Sequence, residues 1–399
     1  MGQATLYGSS LSLYSGRARS YLIKANVPYR EVIPGDEHFL QQVLPQAGNR
    51  RGLPTLETDQ GTVIRDGAAI IDHYEAKTGG LFSPTSPRQK VLSRLFDVIG
   101  AEGLLRPAMH YRWNFPTENL EFLRFHFRTL APIGPDQAKI ADENADRMRA
   151  ACMAFGAVPD TFELVESLYA QLLQKLDAHF SEAPYLLGGK PSIGDFGLIA
   201  PMFGHLGRDP KPLSLMQSSA IRVFRWVERM NRPEPDMGEF PDQAPDYSAN
   251  DQVSQTLIDL LQQLAIDFVP ETRAAAHCVN DWLAQQGDAL VPGTEALRGV
   301  GMAKFSVDGV EINALAQPYR FFLLQRVQDE YDALDAADKP IGSRIVSAVR
   351  HGGHTNDQAG PSHRTGEQLG SLVIKHASQS FCSASRSILL KAGLLEFIR

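Results

Sequence analysis

Cysteine is scarce in this 399-residue sequence: Cys152, Cys278 and Cys382 are the only three, and they lie far apart. Their spacing fits neither a framework of paired disulfides nor the clustered thiols of a structural metal site. The pair His351 and His354 has no acidic or cysteine partner beside it in the sequence. We therefore expect three unpaired thiols in a reducing compartment, and no bound metal.

Long apolar runs are also missing. No stretch approaches the roughly 18 apolar residues that a membrane-spanning helix needs, and the N-terminus lacks the basic and apolar segments of a signal peptide. The net charge of −7 does not favour a nucleic-acid partner. With 43% hydrophobic and 21% charged residues the composition is that of a globular protein, and the length predicts two or three domains. We expect a cytoplasmic protein that binds neither membranes nor nucleic acid.

The segment from Leu6 to Arg19 predicts a buried strand, a tight loop, and a helix that begins near Ser12–Ser15 and continues through Ala25. Serine is a preferred helix N-cap, and the N-terminus of a helix offers free N–H donors and partial positive charge to an anion or a thiolate. Ser12 and Ser15 have the spacing of the cysteines in a Cys-x-x-Cys redox motif. A serine forms no disulfide, but its hydroxyl can donate a hydrogen bond to the sulfur of a ligand.

Three further features follow this segment. Residues 52–56 predict the start of a strand with Pro54 at its entry, where the preceding peptide bond can be cis. Residues 58–62 predict a turn between two short strands. Asp66 then precedes a helical stretch and is the acid at its start.

This order of strand, helix, strand, proline hairpin and helix over residues 4–80 resembles the N-terminal domain of the glutathione transferase superfamily. From Gln89 to about residue 231 the pattern is helical, and Ser192-x-x-Asp195 forms a capping box after the loop at 185–189. That placement is similar to the helical C-terminal domain of the same superfamily. The resemblance implies an α/β plus all-α protein, with a thioredoxin-like domain and mixed four-stranded sheet at 1–80 and a helical domain at 89–235.

The rest of the chain has no counterpart in simple members of that superfamily. Residues 236–343 predict a mainly helical extension that packs on the helical domain and contains two helical stretches, at 257–268 and 271–284. It also contains a β-hairpin at 304–312 with Asp-Gly at its turn and a helix from Pro318 to Leu334. Residues 344–399 carry seven Lys and Arg against three acids. We expect a disordered tail or one not native to the fold; the alternative is an arm that binds an anionic partner.

The resemblance implies that glutathione is the co-substrate and that a small electrophile is its reaction partner. Ser12 matches the position of the catalytic serine or cysteine of the superfamily, although Leu13-Tyr14 replaces the usual Pro-Phe after it. Ser15 is the fallback donor, and Ser9 or Ser10 stays open. Serines that only cap the helix are the structural alternative.

The same resemblance implies how glutathione would be held. Leu53 and Pro54 would present backbone groups to its cysteinyl part, and Asp66 would bind its ammonium group. Gly67 stands where the superfamily usually has Ser or Thr, so only its backbone N–H remains for the γ-glutamyl carboxylate. The aromatic run at 110–115 fits either a wall of the electrophile pocket or core packing.

Two functions from different classes remain open at this stage. The first is a glutathione transferase that catalyses conjugation, peroxide reduction or dehalogenation, the reactions of detoxification. The second is a non-catalytic glutathione-transferase-like binding or interaction protein, which Gly67 and the extension favour. A homodimer is expected from the superfamily, unless the extension covers the dimer face.

Overall fold

The computed structural model describes residues 2–234, 236–286 and 297–335. Its first part is an α/β unit that ends near residue 80. The elements of this unit are β1 (Ala4–Tyr7), α1 (Leu13–Lys24), β2 (Tyr29–Val32), a π-helical turn (Phe39–Val43), α2 (Leu44–Gln46), β3 (Thr55–Glu57), β4 (Val63–Arg65) and α3 (Gly67–Thr78).

The four strands form one mixed sheet in the order β2-β1-β3-β4. β1 pairs in parallel with β2, whereas β1 with β3 and β3 with β4 are antiparallel. Leu6 and Leu56 of the sheet pack against Ala18 and Leu22 of α1 and Ile70 of α3. The predicted thioredoxin-like domain with a mixed four-stranded sheet is thus confirmed.

A domain built only of helices follows. Its elements are α4 (Pro87–Val98), a π-helical turn (Ile99–Gly103), α5 (Leu105–Trp113), α6 (Pro116–Leu130), α7 (Gln137–Ala154), a 3₁₀ turn (Pro159–Thr161), α8 (Phe162–His179), α9 (Ile193–Gly204), α10 (Pro210–Ser219) and α11 (Ile221–Met230). α5 is buried along its whole length. The residues of the aromatic run that belong to α5, 110–113, therefore pack in the core.

Glycines allow helix α9 to pack closely against α1 and against α4 with the π-helical turn that follows it. A Cβ on Gly100 would lie 2.4 Å from the Leu198 nitrogen, and one on Gly197 would lie 2.4 Å from the Asp97 Cα. A Cβ on Gly204 would lie 2.6 Å from the Cα of Leu13 in α1. These distances exclude any side chain, so the close packing of α4, α9 and α1 depends on glycine.

The start of α9 is held by the buried carboxylate of Asp195. It accepts hydrogen bonds from the backbone nitrogens of Ser192 (2.8 Å) and Leu186 (3.1 Å), from the Ser192 hydroxyl (2.9 Å) and from the Trp226 indole (3.1 Å). Burial raises the pKa of Asp195, and these donors oppose that shift. The predicted hydrogen bond from the Ser192 backbone nitrogen to the Asp195 carboxylate is present. The hydrogen bond from the Trp226 indole also joins this cap to α11.

The extension packs on the helical domain, as predicted. It comprises a 3₁₀ turn (Ala249–Asp251), α12 (Gln255–Gln286), β5 (Met302–Val307), β6 (Val310–Leu315) and α13 (Pro318–Asp332). The β5–β6 pair is antiparallel, which confirms the hairpin with its Asp-Gly turn. The two helical stretches expected at 257–268 and 271–284 form one helix, which continues through Pro270.

Two further predictions concern the C-terminal tail and membrane-spanning helices. Residues 344–399, including His351 and His354, lie outside the described residues, so the predictions about the tail stay predictions. Within the three described ranges, no helix is both long enough and apolar enough to cross a membrane.

We expect the Asp195 cap to contribute strongly to stability. Asp195→Ala leaves four buried donors without their acceptor, so the free energy of unfolding should fall by about 3–5 kcal/mol. Asp142→Ala is the matched control, because Asp142 is an exposed helical aspartate and should change stability by less than about 0.5 kcal/mol. Denaturant titration of both variants measures the difference, and equal midpoints would contradict the role given to Asp195.

Candidate functional site

Ser12 forms the N-cap of α1. Its side-chain oxygen accepts a hydrogen bond from the Ser15 backbone nitrogen at 3.2 Å, and the residue is half-buried. Among the described residues, the Ser12 hydroxyl donates to no acceptor. The cap therefore leaves one O–H donor at the positive end of a helix.

The other serines of the loop are engaged within the protein. Ser15 is fully buried, and its oxygen accepts from the Ser9 nitrogen at 3.2 Å. The Ser9 oxygen accepts in turn from the Leu11 nitrogen at 3.1 Å, and Ser10 lies 3.3 Å from Nδ1 of His126. Ser12 is therefore the serine of the four that is best placed to face a ligand.

The proline loop lies beside the start of α3. The Leu53–Pro54 peptide bond is cis, and the Pro54 carbonyl accepts a hydrogen bond from the Asp66 nitrogen at 3.0 Å. Leu53 is half-buried. Within the part of the chain that the structure describes, neither its N–H nor its carbonyl has a backbone partner. The Leu53 peptide groups thus remain available to a ligand.

Asp66 caps α3 with one oxygen of its carboxylate. Oδ1 accepts from the nitrogens of Ala68 (2.8 Å) and Ala69 (3.3 Å) and from the hydroxyl of Tyr319 (3.0 Å). The backbone φ of Asp66 is 90°, a strained value for a residue with a side chain, and the cap bonds hold it there. In the described ranges Oδ2 takes no hydrogen bond, so it is the free half of this acid.

Gly67 marks the point where the predicted site residues meet. A Cβ on Gly67 would lie 3.2 Å from the Tyr14 carbonyl oxygen, 3.6 Å from Cδ of Arg17 and 3.9 Å from Cγ of Pro54. The start of α1, the proline loop and the cap of α3 therefore converge at this residue. A serine here would press against the Tyr14 carbonyl, which lies within 3.4 Å of the added atom.

Sequence reasoning missed the buried ion pair under the site. Arg17 pairs with Asp97 of α4, and their side chains are only 1% and 2% exposed. Burial disfavours the Arg17 charge, but Asp97 and further acids more than offset this, so the pKa of Arg17 is raised. The sequence did contain a signal for the burial of Arg17. Leu13, Arg17 and Tyr21 are spaced four residues apart and so lie on one face of α1.

A second contact, also missed, joins the half-buried Tyr14 to the buried Glu102 of the helical domain. The Tyr14 hydroxyl donates to Oε1 of Glu102 at 2.7 Å. Burial raises the pKa of Glu102 to about 7, although the bond from Tyr14 opposes the shift. Tyr14, which follows Leu13 in the altered serine motif, thus anchors the start of α1 to Glu102.

Tyr319 is the most important site residue that the sequence analysis missed. It lies in the extension, 253 positions from Asp66, and no local pattern connects the two residues. Its ring also meets the Tyr14 ring edge-on, with centroids 6.4 Å apart. The extension therefore forms part of the wall of the candidate site.

Several solved structures are similar to this chain. The β-etherase LigF from Sphingobium sp. strain SYK-6 is 18% identical, with a TM-score of 0.39 over 59% of this chain and 98% of that one. A glutathione-transferase-like protein from Pseudomonas syringae is 17% identical (TM-score 0.38, 58% and 67% covered), and glutathione transferase F2 from Populus trichocarpa is 15% identical (0.35, 58% and 94%). At these values the likeness carries no argument about activity. No curated protein matches the chain.

The N-terminal segment gives the informative match. Residues 6–81 match the family model described as "Glutathione S-transferase, N-terminal domain". The matched range contains the mixed sheet, the serine-capped α1, the proline loop and the Asp66 cap. Residues 6–81 are thus similar to a glutathione S-transferase N-terminal domain, and the family match extends over this segment of the chain.

Proposed function

We propose that the protein is a glutathione-dependent transferase in which Ser12 donates a hydrogen bond to the thiol of bound glutathione. The observation that supports this most directly is the convergence at Gly67, which brings three predicted parts of the site together. The start of α1 lies on one side, and the proline loop and Asp66 lie on the other.

Unpaired polar groups around this point fit the parts of glutathione. The free Leu53 peptide groups suit the backbone of its cysteinyl residue, which can pair with them as a strand would. Oδ2 of Asp66 suits the ammonium group, and the Gly67 N–H at the start of α3 suits the γ-glutamyl carboxylate. Each of these groups lacks a partner among the described residues, as a ligand site requires.

Ser12 would then act on the sulfur. An ordinary thiol has a pKa near 8.5, so little thiolate exists at neutral pH. A helix N-terminus and one hydroxyl donor stabilise the thiolate and lower that pKa. Bound glutathione would supply the nucleophile for attack on a small electrophile, while Leu53 and Asp66 hold its two ends in place.

Two observations favour the second function, a non-catalytic binding protein. Gly67 has no side chain to contribute, and Tyr319 already donates to Asp66. A protein with this site could hold glutathione without accelerating any reaction. Binding and turnover must therefore be measured separately.

Binding is tested by retention on immobilised glutathione and release by free glutathione. We expect the full-length protein to be retained and Asp66→Asn to be retained much less, because the variant loses the charge that pairs with the ammonium group. Asparagine still caps a helix, so folding should be preserved. Asp59→Asn, in an exposed turn of the same domain, is the control and should bind like the parent. A parent protein that flows through the column would refute glutathione binding.

Turnover with a generic electrophile tests the role of Ser12. Ser12→Ala should lower the rate tenfold or more, since one charge-assisted hydrogen bond contributes about 1.5–3 kcal/mol. Ser12→Thr keeps both the hydroxyl and the cap, and it should retain most of the activity. Loss of activity in Ser15→Ala but not in Ser12→Ala would move the role to Ser15. If the parent binds glutathione but neither serine affects turnover, the serine-donor mechanism is wrong.

A further inference from the structure

We propose that Tyr319, supplied by the extension, is a ligand-contacting residue that recognises the free amino group of the peptide bound at Asp66. The inference rests on the proposed function and adds a determinant of specificity to it. It assigns the extension a part in the site that the N-terminal domain alone does not contain.

Tyr319 lies at the first turn of α13, next to Asp66 and Tyr14. Its hydroxyl donates to Oδ1 of Asp66 at 3.0 Å, and its ring contacts that of Tyr14. Tyr319, Tyr14 and Asp66 are all half-buried, as are Ser12 and Leu53. An ammonium group bound to Asp66 would lie next to the phenol of Tyr319.

The helix that carries Tyr319 is fixed at several points. Arg326 forms an ion pair with Asp72 of α3, and Glu330 forms one with Lys90 of α4 at 2.7 Å. The neighbouring Arg320 donates to the Glu102 carbonyl at 2.9 Å. These bonds hold α13 on both domains, so the phenol has a defined position.

The hydrogen bonds determine which chemical group the phenol can recognise. Its only proton is committed to Asp66, so its oxygen can act towards a ligand only as an acceptor. Burial and the nearby Asp66 raise the pKa of Tyr319, which keeps that proton in place. The phenol oxygen and the free Oδ2 of Asp66 are thus two neighbouring acceptors, a pattern that suits an ammonium group with three N–H donors.

The surrounding charges also favour a cation. Arg17 is a positive charge close to Gly67, and it is paired with Asp97 in the buried ion pair. Asp66 adds negative charge beside Tyr14 and Tyr319. A peptide that lacks its amino group would leave both acceptors without a donor and would lose this recognition.

The test compares glutathione with its analogue that lacks the amino group, glutaryl-cysteinylglycine, by calorimetric titration of the full-length protein. Tyr319→Phe keeps the ring packing and removes the oxygen. We expect its dissociation constant for glutathione to rise five- to tenfold and that for the analogue to change less than twofold. Tyr29→Phe, on the strand at the opposite edge of the sheet from β4, is the control and should leave both constants unchanged.

A double variant sharpens the comparison. In an Asp66→Asn background, Tyr319→Phe should weaken glutathione binding by much less than in the parent, because the two acceptors act on the same group. Equal losses for glutathione and the analogue in Tyr319→Phe, or no loss for either, would overturn the inference and leave the proposed function standing. A parent protein that binds neither compound would overturn both.

Discussion

The buried ion pair between Arg17 and Asp97 fixes the geometry on which the candidate site depends. It joins α1 of the thioredoxin-like domain to α4 of the helical domain, where water does not reach either group. Removal of one partner would leave a buried charge uncompensated, which typically costs about 3–5 kcal/mol. Gly197 lets α9 pack directly against the backbone at Asp97 beside this pair. The position of Ser12 at the start of α1 therefore follows from packing at the domain interface.

A second buried charge network attaches the extension to the same interface. Glu271 of α12 pairs with Arg106 of α5 and with Arg320 of α13, at 3.0 Å in each case. Arg320 also bonds the carbonyl of Glu102, the residue whose side chain accepts from Tyr14. A continuous set of polar contacts thus runs from the extension to the start of α1. This connection explains how residues far along the chain can shape a site that lies in the first domain.

Local chemistry accounts for the parts of this structure that the sequence could predict. Ser12 and Asp66 are caps recognised from their own helices, and the Asp-Gly turn predicted its hairpin without reference to the rest of the chain. Tyr319 could not be found in this way, since its contact with Asp66 depends on how α13 packs. The two helical stretches predicted at 257–268 and 271–284 form one helix, because packing on α8 outweighs the tendency of Pro270 to break a helix. The site residues that sequence analysis missed are therefore those whose positions depend on packing between distant parts of the chain.

The central claim is that Ser12 and the α1 terminus act on the sulfur of a bound ligand. The most direct test is the pKa of the glutathione thiol in complex with the full-length protein, measured by pH titration of thiolate absorbance in the parent and in Ser12→Ala. The account predicts a pKa about one to two units below that of free thiols in the parent complex, and a rise towards the free value in the variant. A thiol pKa that binding does not lower, or that is equal in the two complexes, would contradict it.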